Sequence, residues 1–351
     1  MICEGMTKQL SLTAALRNIG VSGDIADVVT VIATACQSIA VRLRNDGVST
    51  TGVRNNFGDD VLSVDMMADQ VIAGALSTCG RIAAFASEER PTLIQTSHAV
   101  DTASAYTVTY DPLDGSSIVE SNFAVGSIFG VWPGRTPIGL HVRDMVASVV
   151  VVYGPRTVLL VGQQELGVAE FFCRADGQWQ LARRVWAAAP TTRTATLTLV
   201  CHGIGLRATV FSPGNLRAAR YLPWYRELIT AYMRDGATLR YTGGMVPDVC
   251  RIIMKGDGIY MTPASPHHKV KLRLLFEVGP MAFLIHCAGG RSSTGLISVM
   301  DVRVDDMEQT SAVALGCTRD VERYERLCRL HAKSLKGCNI SGMPNGRDSR
   351  L

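Results

Sequence analysis

The 351-residue sequence predicts a layered α/β fold built from two closely packed halves. Three observations carry that reading. Long amphipathic helical patterns come first, strand-like segments ending in acidic residues follow, and helices alternate with short strands after a polar, threonine-rich stretch.

In chain order, residues 24–43 place Ile25, Val28, Val29, Ile32, Cys36, Ile39 and Leu43 at helical spacing, with Ser22 just before them as a capping residue. A second helix is predicted over 65–76. Residues 81–86 and 106–110 read as short strands, each leading into acidic residues, which puts carboxylates at strand ends where α/β proteins commonly bind ligands. Residues 123–132, 145–153 and 157–161 are rich in Val, Ile and Phe and read as further strands. The stretch 190–198 is the expected boundary. Beyond it, helices are predicted over 224–233, 247–254 and 280–288, with short strands around Leu239, Ile259 and Val313. The expected organisation is therefore an N-terminal half over 1–190, a C-terminal half over 191–340 and a polar tail over 341–351.

With 47% hydrophobic and 19% charged residues, the chain has material for a sizeable core. Its charge-free stretches are shorter than the roughly 18 residues of a membrane span, so no membrane partner is expected. Residues 1–9 lack the apolar run of a secretory signal. The net charge of +4 is spread along the chain without a basic stripe, so no nucleic-acid partner is expected. Ten cysteines without a C-x-x-C pair speak against a zinc or thioredoxin-like site and fit a reducing compartment. The seven histidines show no metal-ligand spacing, and neither a P-loop, a G-x-S-x-G elbow nor a dinucleotide fingerprint is present. The last three residues, Ser349, Arg350 and Leu351, approximate the Ser-Lys-Leu address read by the peroxisomal import receptor; chance is the alternative.

The strongest local signal is Asp111-Pro112-Leu113-Asp114-Gly115-Ser116-Ser117, coming directly off a predicted strand. Asp111 and Asp114, separated by a rigid proline and one residue, can face a common point, and the Leu113 carbonyl offers a third hard oxygen. The N–H groups of Gly115, Ser116 and Ser117, at the start of a predicted helix, can hold an anion such as phosphate. Asp-Pro and Asp-Gly also make ordinary surface turns. Against that stand Glu88 and Glu89 at the neighbouring strand end, since so many carboxylates would repel one another without cations between them. Glu277, after an apolar run, adds another that would be costly to bury unpartnered. Asp65 opens the second predicted helix and reads as a cap. Lys269, Lys271 and Arg273 form a basic strip that is either solubilising or a clamp for a second phosphate.

Together these residues resemble the magnesium-dependent, lithium-sensitive phosphatases, the family that includes fructose-1,6-bisphosphatase and inositol monophosphatase. The segments GDDVLSVDMM from Gly58, Ser87-Glu88-Glu89, RYTGGMVPD from Arg240 and KLRLLFE from Lys271 are similar to the sugar bisphosphatases in their expected order, over about residues 22–330. The segments Val131-Trp132-Pro133-Gly134, Tyr153-Gly154-Pro155-Arg156-Thr157 and Phe211-Ser212-Pro213-Gly214-Asn215 resemble the sedoheptulose-bisphosphatase branch. Met261 stands where fructose bisphosphatases have a phosphate-binding tyrosine.

The resemblance implies an αβαβα sugar-phosphatase fold that removes the C1 phosphate of sedoheptulose 1,7-bisphosphate, with two or three Mg2+ ions per site. Glu88, Asp111, Asp114, Glu277 and the Leu113 carbonyl would be the metal ligands. Asp65 and Glu89 would orient and deprotonate the attacking water. Gly115, Ser116 and Ser117 would hold the reacting phosphate. Asn215, Tyr241, Gly243, Met245 and Lys271 would bind the rest of the substrate, with Arg240 reaching it in a neighbouring subunit of a homo-oligomer, dimer or tetramer. Fructose-1,6-bisphosphatase activity and a non-catalytic phosphosugar-binding role are the alternatives. The thioredoxin-responsive cysteine pair of plant sedoheptulose bisphosphatases has no counterpart in residues 46–57, and Ala105 stands where AMP-inhibited relatives have a lysine. Neither form of regulation is expected. The terminal tripeptide points to a peroxisome-like organelle such as a glycosome; without it the cytoplasm is expected.

Overall fold

The computed structural model describes residues 10–46, 50–54, 60–97, 105–186, 199–265, 267 and 270–338. Helices α1 (Leu12–Asn18) and α2 (Gly23–Asn45) lead into a short antiparallel pair, β1 (Thr50–Arg54) and β2 (Asp60–Leu62), and then α3 (Ser63–Ser77). The main sheet follows: β3 (Ile82–Ser87), β4 (Ile94–Gln95), β5 (Tyr106–Asp114), β6 (Val125–Pro133), β7 (Ala147–Tyr153), β8 (Thr157–Gln163), β9 (Gly167–Cys173), β10 (Trp179–Trp186) and β11 (Leu199–His202). The order across it is β11-β10-β9-β8-β7-β6-β5-β3-β4. Its strands run antiparallel except for the parallel pairs β3/β5 and β10/β11.

The second half supplies β12 (Val210–Pro213), α4 (Pro223–Arg234), β13 (Thr238–Leu239), α5 (Met245–Lys255), β14 (Ile259–Thr262), α6 (Gly279–Cys287), β15 (Arg291–Ser293), β16 (Val313–Gly316) and α7 (Thr318–Cys338). Its strands form a five-stranded sheet in the order β13-β12-β14-β16-β15. β12 is parallel to both β13 and β14, so the loops that follow these three strands leave from the same edge.

Three apolar clusters stack these elements into five layers, as the resemblance implies. The first seals α1, α2 and α3 against one face of the nine-stranded sheet, around Val28, Ile32, Ile72 and Phe129. The second fills the space between the two sheets, where α5 and α6 contribute Val246, Val249, Phe283 and Leu284. The third packs α4 and α7 on the outer face of the small sheet, around Phe211, Tyr225 and Tyr324. The eight strand segments and three C-terminal helices read from the apolar pattern all fall on observed elements.

Some features depart from the apolar pattern. Ser22 sits at the N-cap of α2 but its hydroxyl makes no capping bond; its carbonyl takes the Ala26 N–H at 2.8 Å. No strand is predicted at β9 or β10, because Glu170, Arg183 and Arg184 interrupt the apolar alternation; in the fold, Glu170 is buried against Arg183. The long charged helix α7 also escapes the apolar pattern. The expected boundary at 190–198 lies outside the described residues, and the large sheet continues beyond it through β11. Helix α2 is also long and apolar enough to cross a membrane, with a mean hydropathy of 1.5, but 56% of that window is buried against the protein itself, as in a core helix.

Ile32 is fully buried between α2 and the large sheet. Ile32→Ala should lower the unfolding free energy by about 2–5 kcal/mol in denaturant titrations monitored by circular dichroism, with the m-value unchanged.

Candidate active site

The parallel pairing of β3 and β5 sets Ser87 opposite Tyr110, so Glu88, just past the end of β3, and Asp111, inside the longer β5, lie side by side. Glu277 arrives from a wide helical turn, Leu274–Val278, that leads into α6. The N–H groups of Glu277 and Val278 both donate to the Arg273 carbonyl, at 3.1 and 3.0 Å. A Cβ on Gly279 would lie 2.6 Å from the Leu274 carbonyl, so glycine permits this turn. Such one-turn widenings recur at functional sites. One carboxylate oxygen each from Glu88, Asp111 and Glu277 lies within 4.8 Å of the others, with Asp111 and Glu277 buried and Glu88 half-buried.

Burial is the main cause that pushes these acids up, and mutual repulsion adds to it. Glu88 is raised to about 7, against the pull of Arg273, with Glu89 adding to the rise. Asp111 is driven well above the carboxylate range by desolvation and by Glu88 and Glu277. Glu277 is likewise well above it, through desolvation and then Glu88. Three converging carboxylates with no sulfur or imidazole are the donor set of a hard divalent cation, so these residues fit magnesium-like ions.

Arg273 corrects the expectation of a basic strip. It is 1% exposed and turned inward: one guanidinium nitrogen donates to the Glu88 carbonyl at 2.9 Å, Nε lies 3.6 Å from the Glu88 carboxylate, and the backbone N–H donates to Glu277 at 2.6 Å. It is an internal counter-charge of the acid cluster. Lys271 is exposed, and Lys269 lies outside the described residues.

Asp114 is not among the three converging acids. Its carboxylate crosses to the second half and accepts the N–H groups of Met245 at 3.1 Å and Val246 at 2.6 Å, at the start of α5. Burial raises it to about 6, and those two hydrogen bonds hold the shift down. A helix N-terminus is a favourable seat for a carboxylate. Between the two aspartates, Leu113 is buried and its N–H donates to Asp111 at 2.9 Å.

Asp65 sits in the first turn of α3 and accepts the Leu62 N–H at 3.0 Å, so the capping reading holds. It is also 5% exposed, raised to about 7 mainly by burial, bonded by the Ser116 side chain and close enough to Glu89 to feel its charge. Glu89 is half-buried and raised, first by desolvation and then by Asp69. The chain turn carrying Glu88 and Glu89 is closed by the Arg90 N–H on the Ser87 hydroxyl at 3.0 Å and tied to α3 by an Arg90–Asp69 ion pair at 2.7 Å. Tyr110 donates to the other Asp69 oxygen at 2.9 Å. Neither Asp69 nor Arg90 figures among the sequence-derived candidates. The four-residue spacing of Asp65 and Asp69 on one helix face was the available signal.

After Asp114, Gly115 adopts φ +85° and Ser116–Ile118 forms a single 3-10 turn rather than the predicted helix. Phe123 and Ala124 already lead into β6, which leaves no room for more turns. Gly115 and Ser116 are half-buried there and Ser117 is exposed. On the other side, Arg240, Tyr241 and Gly243 lie exposed in the loop after β13, and Asn215 follows β12 with its amide on the Pro263 carbonyl at 3.1 Å. Asp248, a further residue the sequence reading passes over, holds that loop: both its oxygens accept the Thr242 N–H, at 3.2 and 3.1 Å. Met245 is 2% exposed, its side chain in the inter-sheet core and its N–H on Asp114.

Known proteins share this fold and much of this sequence. The model of the fructose-1-6-bisphosphatase N-terminal domain matches residues 8–184, and that of the C-terminal domain matches residues 204–329. The chain belongs to the fructose-1,6-bisphosphatase family. Among its relatives, the chloroplastic sedoheptulose-1,7-bisphosphatase of Spinacia oleracea is 41% identical over 83% of this chain and 71% of its own length. The class 1 fructose-1,6-bisphosphatase of Geobacter sulfurreducens is 35% identical over 90% of this chain and 95% of its own length. A crystal structure from Toxoplasma gondii that carries the provisional name sedoheptulose-1,7 bisphosphatase superposes with a TM-score of 0.81 at 33% identity, covering 92% of this chain and 99% of its own.

The raised acids give metal-free protein a signature. Asp114, Glu88 and Asp65 bind protons more tightly folded, at about 6, 7 and 7, than at their ordinary 3.8, 4.5 and 3.8. The stability this contributes is full below about pH 4 and is lost as pH rises through about 6 to 7. In chelator, the melting temperature should fall between about pH 5 and about pH 8. Magnesium should raise it more at the higher pH. Differential scanning fluorimetry with a magnesium-induced shift equal at both pH values would contradict this.

Proposed function

We propose that the chain is a magnesium-dependent sugar bisphosphatase that hydrolyses the C1 phosphate of sedoheptulose 1,7-bisphosphate to sedoheptulose 7-phosphate. The observation that carries the reading is the convergence of Glu88, Asp111 and Glu277 in a chain this similar to a sedoheptulose-1,7-bisphosphatase. Hydrolysis of the six-carbon substrate is the second reading, favoured by the similarity to a class 1 fructose-1,6-bisphosphatase over nearly the whole chain.

Phosphate monoesters hydrolyse so slowly unaided that enzymes accelerate them by up to about 10²¹-fold, chiefly through charge stabilisation. Glu88, Asp111, Glu277 and the Leu113 carbonyl would hold two or three magnesium ions, with Asp114 contributing lone pairs that its helix contacts leave over. Bound magnesium supplies positive charge against the phosphoryl oxygens and the leaving alkoxide. Asp65 and Glu89 take the proton of the attacking water, a task suited to carboxylates raised toward neutrality. Gly115, Ser116 and Ser117 hold the reacting phosphate. Asn215, Tyr241, Gly243 and Lys271 receive the sugar and its distal phosphate from the second half, while Met245, with its side chain in the inter-sheet core, supports that loop from behind rather than touching the sugar. Arg240, exposed beside the edge strand β13, extends toward a neighbouring copy in a homo-oligomer. The reaction belongs to carbohydrate metabolism of the pentose-phosphate or Calvin type. Ser349-Arg350-Leu351, outside the described residues, would direct the chain to a peroxisome-like organelle through the import receptor.

Phosphate release from the purified chain, with each bisphosphate and with magnesium or chelator, tests the reading. A magnesium-dependent kcat/KM higher for the seven-carbon sugar is expected. A preference for fructose 1,6-bisphosphate would select the second reading, and no release from either would remove both. Glu277→Gln, which deletes one charge of the converging triad, should cut kcat by at least about 100-fold.

A further inference from the structure

Between the register pairs Asp111–Ile128 and Asp114–Gly126, two residues of β5, Pro112 and Leu113, face one residue of β6, Ser127. This is a bulge, which disrupts the backbone ladder locally. The Ser127 hydroxyl bonds the Pro112 carbonyl at 2.7 Å and the Tyr153 hydroxyl, from β7, at 2.8 Å. The Cys36 thiol of α2 lies beside both hydroxyls. Ser127 and Cys36 are fully buried and Tyr153 is 7% exposed.

A carbonyl can only accept, so Ser127 donates to Pro112, and its oxygen is left to accept from Tyr153. The Pro112–Leu113 peptide plane is thereby held at both ends: its C=O by Ser127, and its N–H by the Asp111 carboxylate at 2.9 Å. Rotation of that plane would swing Asp111, one of the three converging acids.

We propose that Ser127, backed by Tyr153, is a positioning residue that locks the Asp111–Asp114 bulge in the geometry the divalent cation needs. This rests on the reading of the acid cluster as a cation site. Partners behind metal ligands typically contribute 10- to 100-fold in affinity. The hydroxyl pair also links the acid bulge to β7, so the influence of Tyr153, one step further from Asp111, should be smaller than that of Ser127.

The test is calorimetric titration of the full-length protein with Mn2+, in parallel with the magnesium dependence of phosphate release and with melting temperatures in chelator. Ser127→Ala should weaken Mn2+ binding about tenfold. It should raise the half-activating magnesium concentration in step, leaving kcat at saturating magnesium and KM for the sugar within about twofold. Tyr153→Phe should act in the same direction by less, and Ser127→Thr, which keeps the hydroxyl, should bind as wild type. Ile32→Ala provides a destabilised control whose Mn2+ affinity should not change. Wild-type affinity in Ser127→Ala, or an equal loss in Ile32→Ala, would overturn the proposal. Absence of Mn2+ binding to the wild-type protein would overturn the cation reading with it.

Discussion

Carboxylates brought together in a partly dry crevice dominate the energetics of this molecule. Each pays for desolvation, and the repulsion among Glu88, Asp111 and Glu277 adds to that cost. The fold answers with one buried guanidinium, from Arg273, whose own desolvation is offset by contacts to Glu88. It answers also with backbone N–H groups: that of Arg273 on Glu277 and that of Leu113 on Asp111. One cation against so many acids leaves an excess of negative charge, which protons satisfy at low pH and a divalent ion satisfies near neutrality.

Holding such a cluster requires the segments that carry it to be rigid, and buried side chains tie their carbonyls down. Thr109, itself bonded by the Trp132 indole at 2.9 Å, donates to the Leu275 carbonyl at 3.0 Å and so anchors the turn that delivers Glu277. Arg273 bonds the Glu88 carbonyl as well as neighbouring its carboxylate. The Asp69–Arg90 pair binds the Glu88–Glu89 turn to α3. Each acid thus has a second point of attachment, which is what preorganisation of a charged site demands.

Much of this was legible from residue types and spacing. Val28, Ile32 and Cys36 announce a core helix because one stripe of α2 packs on a sheet. Acidic residues directly after two apolar strands place Glu88 and Asp111 correctly, because parallel neighbours end on the same edge. Arg273 misleads, since Lys and Arg in a polar stretch read as surface until the acids that neutralise them are known. The Ser116–Ile118 turn misleads too, because glycine and serine open helices and tight turns alike. Pairings across large sequence separations, such as Arg273 with Glu88 or Asp114 with α5, leave no local pattern at all. The clamp of Asp248 on Thr242 is short-range, yet an aspartate in the first turn of a helix reads as an ordinary dipole partner.

The seating of Asp114 on the first N–H groups of α5 has a thermodynamic consequence. The same backbone turn that receives Asp114 continues from Tyr241 and Thr242, on the side where the proposed sugar would dock. Whatever steadies that turn steadies Asp114, and whatever fixes Asp114 steadies the turn. Occupancy of the two sides is therefore linked, and linkage is reciprocal: a sugar that tightens the hold on cations must itself be held more tightly when cations are present.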